Sequence, residues 1–252
     1  MGTLYLIPCW LEEHITAPLP AYLRDAVKAC HIFFVENERS ARRYLKAIWP
    51  EMVIDNYQWH PIHKLEETPE VTDAFRTALT HNSTVGIISE AGCPGIADPG
   101  QILTELAHQC GAAVRPLVGP SSILLALMAS GLNGQQFRFV GYLPVDNAAR
   151  TKALKDLETD SQRHHCTQLF IETPYRNNQM LAAILQTCRP ATRLCIAANL
   201  TSPNEYIRTL PISEWRKLPP ATQPAQLAAA KSDAHSALPD LHKQPTIFCL
   251  LA

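Results

Sequence analysis

Two glycine-containing segments carry residues whose types and spacing suit the binding of a polar small molecule. The first runs from Ser89 to Gly100, with the sequence SEAGCPGIADPG, and the second is Gly119-Pro120-Ser121-Ser122. Glycine lets a backbone approach a ligand closely, and proline fixes the shape of a loop. The two serines begin an apolar helix, whose free N–H groups and hydroxyls can hold a polar group. Each segment alone is also compatible with a tight connection shaped only for packing.

The elements around these segments alternate between strand and helix in the first half of the chain. Apolar runs predict strands at Thr3–Ile7, His31–Val35, Met52–Tyr57, Thr84–Ile88 and Ala113–Leu117. Repeated β–α units with apolar strands indicate a parallel sheet covered on both faces. Right-handed crossovers then bring the loops that follow these strands to one edge of the sheet. Those loops are Pro8–Ile15, Glu36–Ser40, Ser89–Gly100 and Val118–Ser122.

The second half of the chain predicts another α/β domain, with a mixed sheet. Its predicted strands are Phe137–Tyr142, Thr167–Ile171, Leu194–Ala198, Tyr206–Leu210 and Thr246–Leu251. We therefore expect two α/β domains, residues 1–118 and 119–252, with a cofactor cleft between them. Residues 217–245 are rich in Ala, Pro, Ser and Lys and predict a mobile loop, with a helix at Ala225–Lys231.

Composition limits the class of protein. The chain has 22 basic and 23 acidic side chains, so its bulk charge does not favour nucleic acid or acidic membrane. No stretch of about 18 apolar residues predicts a membrane span. Eight scattered cysteines without a C-x-x-C pair indicate reduced thiols in a cytoplasmic protein. We expect no metal site, since His60-Pro61-Ile62-His63 and His164-His165-Cys166 each lack a matching partner pair.

Three common catalytic motifs are missing from the sequence. No G-x-G-x-x-G follows the first strand, so the dinucleotide-binding fingerprint is not found. No G-x-x-x-x-G-K-[ST] occurs, and no G-x-S-x-G nucleophile elbow occurs. The two ligand-type loops at the ends of parallel strands remain as the main functional feature.

The chain resembles the tetrapyrrole-methylase-like S-adenosylmethionine-dependent methyltransferases, and within them the branch of the 16S ribosomal RNA cytidine 2′-O-methyltransferases. The similar segments occur in order along nearly the whole chain, and the most specific of them is Ser89–Gly100. The others are GTLYLIP at residues 2–8, VENERSAR at 35–42, LVGPSS at 117–122, ASGL at 129–132, GYLP at 141–144 and FIETPYR at 170–176. Where the branch has a Gly-Asn-Leu loop after the first strand, this chain has Cys9–Ile15, with the sequence CWLEEHI.

This resemblance implies a cofactor, S-adenosylmethionine, with S-adenosylhomocysteine as the product. It implies that backbone and side chains from several loops bind the cofactor, around its methionine part, ribose and adenine. Carried over position by position, these residues are Pro8, Ser89, Glu90, Ala91, Gly92, Ile96, Ser121, Ser122, Ile171, Glu172, Thr173, Ala198, Asn199, Pro245 and Thr246.

The resemblance also implies residues for the acceptor side of the reaction. An oxygen acceptor must lose a proton, and Glu36 and Glu172 are the candidate bases. Asn37, Arg39, Tyr175 and Arg176 are the candidate substrate-binding residues. The implied partners are ribosomal RNA or the 30S subunit, and a second copy of the chain in a homodimer.

Two alternatives remain open from the sequence. The near-zero net charge and the altered Cys9–Ile15 loop favour a methyltransferase that acts on a small molecule such as a tetrapyrrole-like compound. A non-catalytic, cofactor-binding regulatory protein is the other alternative.

Overall fold

A computed structural model describes residues 2–62, 68–220 and 236–252. Its Cα positions divide the chain into two compact units, Met1–Ser121 and Ser122–Ala252. This division falls just after the boundary at residues 118 and 119 that the sequence predicts. The predicted helix at Ala225–Lys231 and the middle of the predicted mobile loop lie outside the described residues.

The first unit contains a five-stranded sheet in which every neighbouring pair of strands is parallel. Its strands are β1 (Thr3–Ile7), β2 (Ile32–Val35), β3 (Gln58–Pro61), β4 (Thr84–Ile88) and β5 (Ala113–Pro116). The spatial order is β3-β2-β4-β1-β5, so β4 lies between β2 and β1. Its helices are α1 (Leu23–Ala29), α2 (Glu38–Ile48), α3 (Pro69–Thr80) and α4 (Gln101–Gln109). The predicted parallel sheet is confirmed.

Alternation along the central strands creates two separate cores in this unit. Phe33 packs in one cluster with Val27 of α1 and Tyr44 of α2. Phe34, one residue further on, packs in the other cluster with Phe75 of α3, and the two rings meet edge to face at 5.0 Å. Because successive side chains of a strand point to opposite faces, helices cover both faces of the sheet.

The third strand is not where the sequence predicts it. Residues Ile54–Asn56 form a 3₁₀ turn, and the strand that pairs with β2 is Gln58–Pro61. Met52 is buried in the core although it lies in a turn, and this burial explains the apolar run that resembled a strand. β3 lies at the edge of the sheet, where a proline is tolerated. The prediction of a strand at Met52–Tyr57 is therefore wrong.

The second unit contains a mixed five-stranded sheet in the order β6-β7-β10-β8-β9. Its strands are β6 (Phe137–Tyr142), β7 (Thr167–Ile171), β8 (Arg193–Ala198), β9 (Tyr206–Pro211) and β10 (Thr246–Leu251). β6 and β7 are parallel, while β10 is antiparallel to both β7 and β8, and β9 is antiparallel to β8. Its helices are α5 (Ser122–Ser130), α6 (Asn147–His164), α7 (Asn177–Thr187) and α8 (Ile212–Trp215). The predicted α/β class with a mixed second sheet is confirmed.

The core of this unit joins α6 and α7 to the sheet. Leu154 of α6 and Met180 of α7 pack in one cluster with Phe170 and Phe248, whose rings stack at 5.6 Å. Trp215 of the short helix α8 is fully buried in the same cluster. Among the helices of the described ranges, none is long and apolar enough to cross a bilayer.

Candidate functional site

Two of the predicted strand-end loops of the first unit are joined directly by backbone hydrogen bonds. The loop after β1 and the loop after β4 form a single antiparallel bridge between Cys9 and Gly92. Cys9 N–H donates to the Gly92 carbonyl at 2.8 Å, and Gly92 N–H donates to the Trp10 carbonyl at 3.4 Å. Gly92 has φ of 71°, a conformation that side chains other than glycine rarely adopt. The bridge therefore fixes the start of both loops at the carboxyl edge of the parallel sheet.

The loop after β2 bonds to the same segment through a carboxylate and a hydroxyl. Glu90 N–H donates to Glu36 Oε2 at 3.2 Å, and the Ser40 hydroxyl donates to Glu90 Oε1 at 3.3 Å. The Asn37 side chain caps α2 by accepting hydrogen bonds from the N–H groups of Arg39 and Ser40. Helix α2 therefore begins at Glu38, directly after the loop residues that bond to Glu90.

The loop after β5 packs against the loop after β1 and bonds to the loop after β4. The Cys93 thiol donates weakly to the Pro120 carbonyl at 3.5 Å. Gly119 lies directly against the ring of Pro8, since a Cβ atom at Gly119 would come within 3.0 Å of Pro8 Cβ and Cγ. Residues of all four loops that the sequence predicts at this edge are thus brought together within the first unit, which ends at Ser121.

These joined loops leave an exposed surface of mixed character. Ser89 and Gly92 are buried, while Glu90 and Ala91 are exposed, and Ile96 keeps 53% of its surface exposed. Ala97, next to Ile96, has φ of 61°, and such strained backbone recurs at ligand sites. A carboxylate, backbone groups and an apolar side chain are therefore available to a ligand on one loop.

Tyr44 is a supporting residue that the sequence did not indicate. Its hydroxyl donates to the Pro8 carbonyl at 2.5 Å, from the buried face of α2. Burial raises the pKa of the Tyr44 hydroxyl, so the group stays protonated and keeps donating. The signal available in the sequence was only its position on the apolar stripe of α2, which also fits an ordinary core tyrosine.

In the second unit, the predicted residues meet at one edge of the mixed sheet. Ile171, at the end of β7, is paired with Ile247, and Ala198, at the end of β8, is paired with Thr246. Asn199 N–H donates to the Pro245 carbonyl at 2.9 Å. Because β10 is antiparallel to both neighbours, its start lies where β7 and β8 end. Three separate predicted segments are therefore adjacent here.

Glu172 and Arg176, at this edge, form a buried ion pair. Glu172 Oε1 accepts hydrogen bonds at 2.6 Å from Thr173 N–H and from Arg176 Nη2. The Glu172 side chain is 0% exposed and that of Arg176 is 30% exposed. Within the described residues, Glu172 Oε2 is buried without a hydrogen-bond partner. This oxygen is an acceptor that a bound molecule can satisfy.

Tyr175 lies between these two residues in sequence but points to solvent, with 67% of its surface exposed. Lys243 Nζ lies 5.8 Å from the centre of its ring, and the His242 ring meets it edge-on at 5.9 Å. Lys243 N–H donates to the Pro174 carbonyl at 3.0 Å, which ties the two segments together. The contacts of His242 and Lys243 with Tyr175 are not predicted from the sequence, because these residues lie far from Tyr175 along the chain.

Most of the chain matches one known protein family. The Tetrapyrrole (Corrin/Porphyrin) Methylases family matches residues 19–215. The chain therefore belongs to the tetrapyrrole methylase family, and the predicted resemblance is confirmed.

The similar curated proteins are methyltransferases of the ribosome by name. The chain is 35% identical over 190 residues to ribosomal RNA small subunit methyltransferase I of Vibrio cholerae serotype O1, covering 75% of this chain and 62% of that protein. It is 32% identical over 213 residues to the protein of the same name from Escherichia coli O157:H7, covering 84% of this chain and 70% of that protein. The chain thus spans about three-fifths of the Vibrio relative's length.

Solved structures share the fold at low identity. The crystal structure of the methyltransferase CobJ has a TM-score of 0.59 at 17% identity, covering 100% of this chain and 94% of that chain. Uroporphyrin-III C-methyl transferase from Thermus thermophilus, complexed with S-adenyl homocysteine, has a TM-score of 0.51 at 14% identity. That comparison covers 99% of this chain and 97% of that chain.

The residues present are compatible with the cofactor of this family. S-adenosylmethionine carries a positive sulfonium and ammonium, a ribose with two hydroxyls and a neutral adenine. The exposed Glu90 carboxylate suits a cationic or hydroxyl group, and exposed Ile96 suits an apolar surface. The buried acceptor Glu172 Oε2 suits a hydrogen-bond donor.

Proposed function

We propose that this chain is an S-adenosylmethionine-dependent methyltransferase that methylates a ribose oxygen of ribosomal RNA. The main support is the joining of four strand-end loops around Glu90, with exposed backbone and an apolar side chain beside it. Ligands of open α/β sheets bind at the carboxyl ends of the strands, where these loops lie. The names of the similar proteins support RNA as the acceptor.

The proposed cofactor residues come from both units. In the first unit they are the strand-end residues Pro8, Ser89, Glu90, Ala91, Gly92, Ile96 and Ser121. In the second unit they are Ser122, Ile171, Glu172, Thr173, Ala198, Asn199, Pro245 and Thr246. Bound S-adenosylmethionine supplies a methyl group on a sulfonium, which is already an activated leaving group. The protein's share is then to hold donor and acceptor in line.

Proton removal from the acceptor oxygen is the second task, and two carboxylates are candidates for it. Glu36 lies in the loop after β2 and accepts a hydrogen bond from Glu90 N–H. Glu172 lies in the second unit, where Arg176 and Thr173 N–H hold one of its oxygens. Both ionised carboxylates can accept a proton, and both also brace loops, so their substitution must separate the two roles.

Paired substitutions at Glu36 make this separation. Glu36→Gln keeps an oxygen that accepts from Glu90 N–H but removes the basic group, whereas Glu36→Ala removes both. If Glu36 is the base, Glu36→Gln still binds the cofactor but loses methyl transfer, as Glu36→Ala does. If Glu36 only braces the loop, Glu36→Gln retains turnover. The same pair at Glu172 tests the other candidate.

The function itself is tested in two steps. Calorimetry with S-adenosylmethionine measures cofactor binding by the full chain. Transfer of labelled methyl is then measured on an extract separated into 30S subunits, free RNA and small molecules. Label in 16S ribosomal RNA is the expected result. Label in a small tetrapyrrole-like molecule contradicts the RNA acceptor, and binding without any transfer favours a regulatory protein.

We also propose that the chain forms a homodimer and, given a ribosomal acceptor, acts in the cytoplasm. Helix α5 is apolar, and its Leu124 and Met128 are 50% and 78% exposed. These two side chains are one turn apart and form an exposed apolar strip. Sedimentation equilibrium tests the dimer, and Met128→Glu should shift it towards the monomer while leaving the fold intact.

A further inference from the structure

Helix α2 carries a basic stripe, which we define as Arg39, Arg42, Arg43 and Lys46. These positions follow the i, i+3, i+4, i+7 spacing, so they lie on one face of the helix. The opposite face, Ala41, Tyr44 and Leu45, is buried in the core. The basic stripe lines a surface concavity of about 570 Å³, together with Glu38. This concavity therefore gathers four cationic side chains on one face of the helix.

We infer that the basic stripe binds the phosphate backbone of the RNA substrate. This inference rests on the proposed function. Its second support is position, because α2 starts directly after the loop that bonds to Glu90 through Glu36 and Ser40. An RNA whose acceptor ribose lies at these loops has its neighbouring phosphates close to the first turns of α2. Arginine suits phosphate because its planar fork donates two parallel hydrogen bonds.

Two carboxylates currently pair with the stripe and keep its guanidinium groups in place. Arg42 pairs with Glu38, and its guanidinium lies 5.1 Å from the centre of the Trp59 ring. Arg43 pairs with Glu13 at 2.7 Å. The side chains of both pairs are between 39% and 49% exposed. Exposed pairs of this kind are weak, so phosphate groups can displace the carboxylates.

Glu13 belongs to Cys9–Ile15, the segment in which this chain differs from the resembling branch. Its carboxylate competes with phosphate for Arg43, and it also adds negative charge beside the stripe. Removing this charge should therefore raise RNA affinity, whereas removing the arginine charges should lower it. If the ion pair between Glu13 and Arg43 had only a structural role, substitution of either residue should change RNA affinity in the same direction, because both substitutions break the same pair.

Lys46, the last residue of the stripe, also makes hydrogen bonds at the end of the helix. Its ammonium donates to the carbonyls of Pro50 and Met52, so it closes the end of α2 while contributing charge. Its substitution would disturb the helix end as well as the charge. Arg42 and Arg43 are therefore the residues to test, since their ion pairs are exposed and neither side chain closes the end of the helix.

The experiment uses the full chain, a short RNA hairpin and purified 30S subunits, with affinity measured across a range of salt. The log of the affinity falls as the log of the salt concentration rises, and Arg42→Gln with Arg43→Gln should make this slope shallower by about 1.5. This value corresponds to about 0.7–0.9 for each of the two lost phosphate contacts. The affinity at about 0.1 M salt should fall roughly tenfold or more. Glu13→Gln should raise it several-fold. Calorimetry should show unchanged cofactor binding in every variant.

A matched control removes equal charge from another exposed helix. Lys152→Gln with Lys155→Gln on α6 should leave the salt slope at the wild-type value, since both side chains are exposed on a helix that carries no part of the stripe. Thermal melting checks that the arginine variant is folded. A wild-type slope in the folded arginine variant overturns the inference, as does a lowered affinity in Glu13→Gln.

Methyl transfer to 16S ribosomal RNA by the wild-type chain is scored separately. If the wild-type chain methylates the RNA and the arginine variant keeps its slope, the stripe inference fails alone. If the stripe governs RNA binding but no methyl reaches RNA, the proposed function fails alone. If the wild-type chain neither binds nor methylates RNA, both fail.

Discussion

Substitution of Gly119 by alanine tests whether the loops after β1 and β5 act as one unit. A Cβ atom at Gly119 would come closer than 3.0 Å to both Cβ and Cγ of Pro8, a separation that real Cβ atoms essentially never show. The obstacle is a proline ring, which has no rotamer that moves it aside. One of the two loops must therefore shift.

Neither loop can shift without losing other interactions. Pro8 is held by the Tyr44 hydroxyl, which donates to its carbonyl, and by the adjacent Cys9 N–H bond to Gly92. The Gly119 loop is held by Leu117 N–H, which donates to the Leu6 carbonyl at 3.1 Å. Overpacking by one methyl group costs about 1–3 kcal/mol, and a lost hydrogen bond adds about 1 kcal/mol. We expect Gly119→Ala to lower the free energy of unfolding by about 2–4 kcal/mol.

Differential scanning calorimetry should detect this loss as a melting temperature lower by about 5–12 °C. If Pro8 also lines the cofactor site, the affinity for S-adenosylmethionine should fall at least about tenfold, which corresponds to 1.4 kcal/mol. The matched control is Gly134→Ala, because a Cβ atom there would meet no described heavy atom within 4 Å. The reasoning is refuted if Gly119→Ala melts and binds the cofactor like Gly134→Ala.

Three further outcomes are expected. Glu158→Ala should lower the free energy of unfolding by about 1–3 kcal/mol in urea titrations, since the buried Glu158 carboxylate accepts a hydrogen bond from the Thr192 hydroxyl and its loss leaves buried donors unpaired. Burial raises the pKa of the Cys9 and Cys30 thiols from 9.0 to about 12, so their stabilising contribution is complete below pH 9 and is lost as the pH rises towards 12. Urea titrations across this range should show a smaller decline when both cysteines are alanine. Tyr175→Ala should weaken binding of single-stranded RNA by about 1–3 kcal/mol in anisotropy titrations, with cofactor affinity unchanged, because an exposed ring can stack on a base.

The sequence predicts most of this fold because its strands are short apolar runs bounded by Gly, Pro and polar residues. β4 and β10 begin and end where the pattern predicts, since both are buried and flanked by turn signals. The predicted position of β3 is wrong because, in this part of the chain, the buried apolar residue does not belong to the strand. Met52 is buried in the core although it belongs to no strand, whereas the edge strand Gln58–Pro61 is only partly buried and has no continuous apolar run.

The loops of the candidate site can be predicted from the sequence, but the contacts between those loops cannot. Glycine and proline in Ser89–Gly100 mark a shaped loop from local sequence alone. The partners of that loop lie far away along the chain, as with Glu36 and Glu90 or Cys93 and Pro120. No periodicity encodes such pairs, because they depend on how the parallel strands are ordered in the sheet. The strand order β3-β2-β4-β1-β5 places β4 between the first two strands and so brings their loops together.

That order also explains why Glu90 has a central position. β4 lies directly beside β2 and β1, so the segment that follows its end meets the loops of both neighbours. The Glu90 N–H donates to the Glu36 carboxylate, and the Glu90 carboxylate accepts from the Ser40 hydroxyl. Gly92, two residues later, bonds to the loop after β1. The loop before α2 and the first turn of that helix, where the basic stripe begins, are thus hydrogen-bonded directly to the segment proposed to hold the methyl donor. The strand order alone brings these two parts of the chain together, although more than fifty residues separate Glu36 from Glu90.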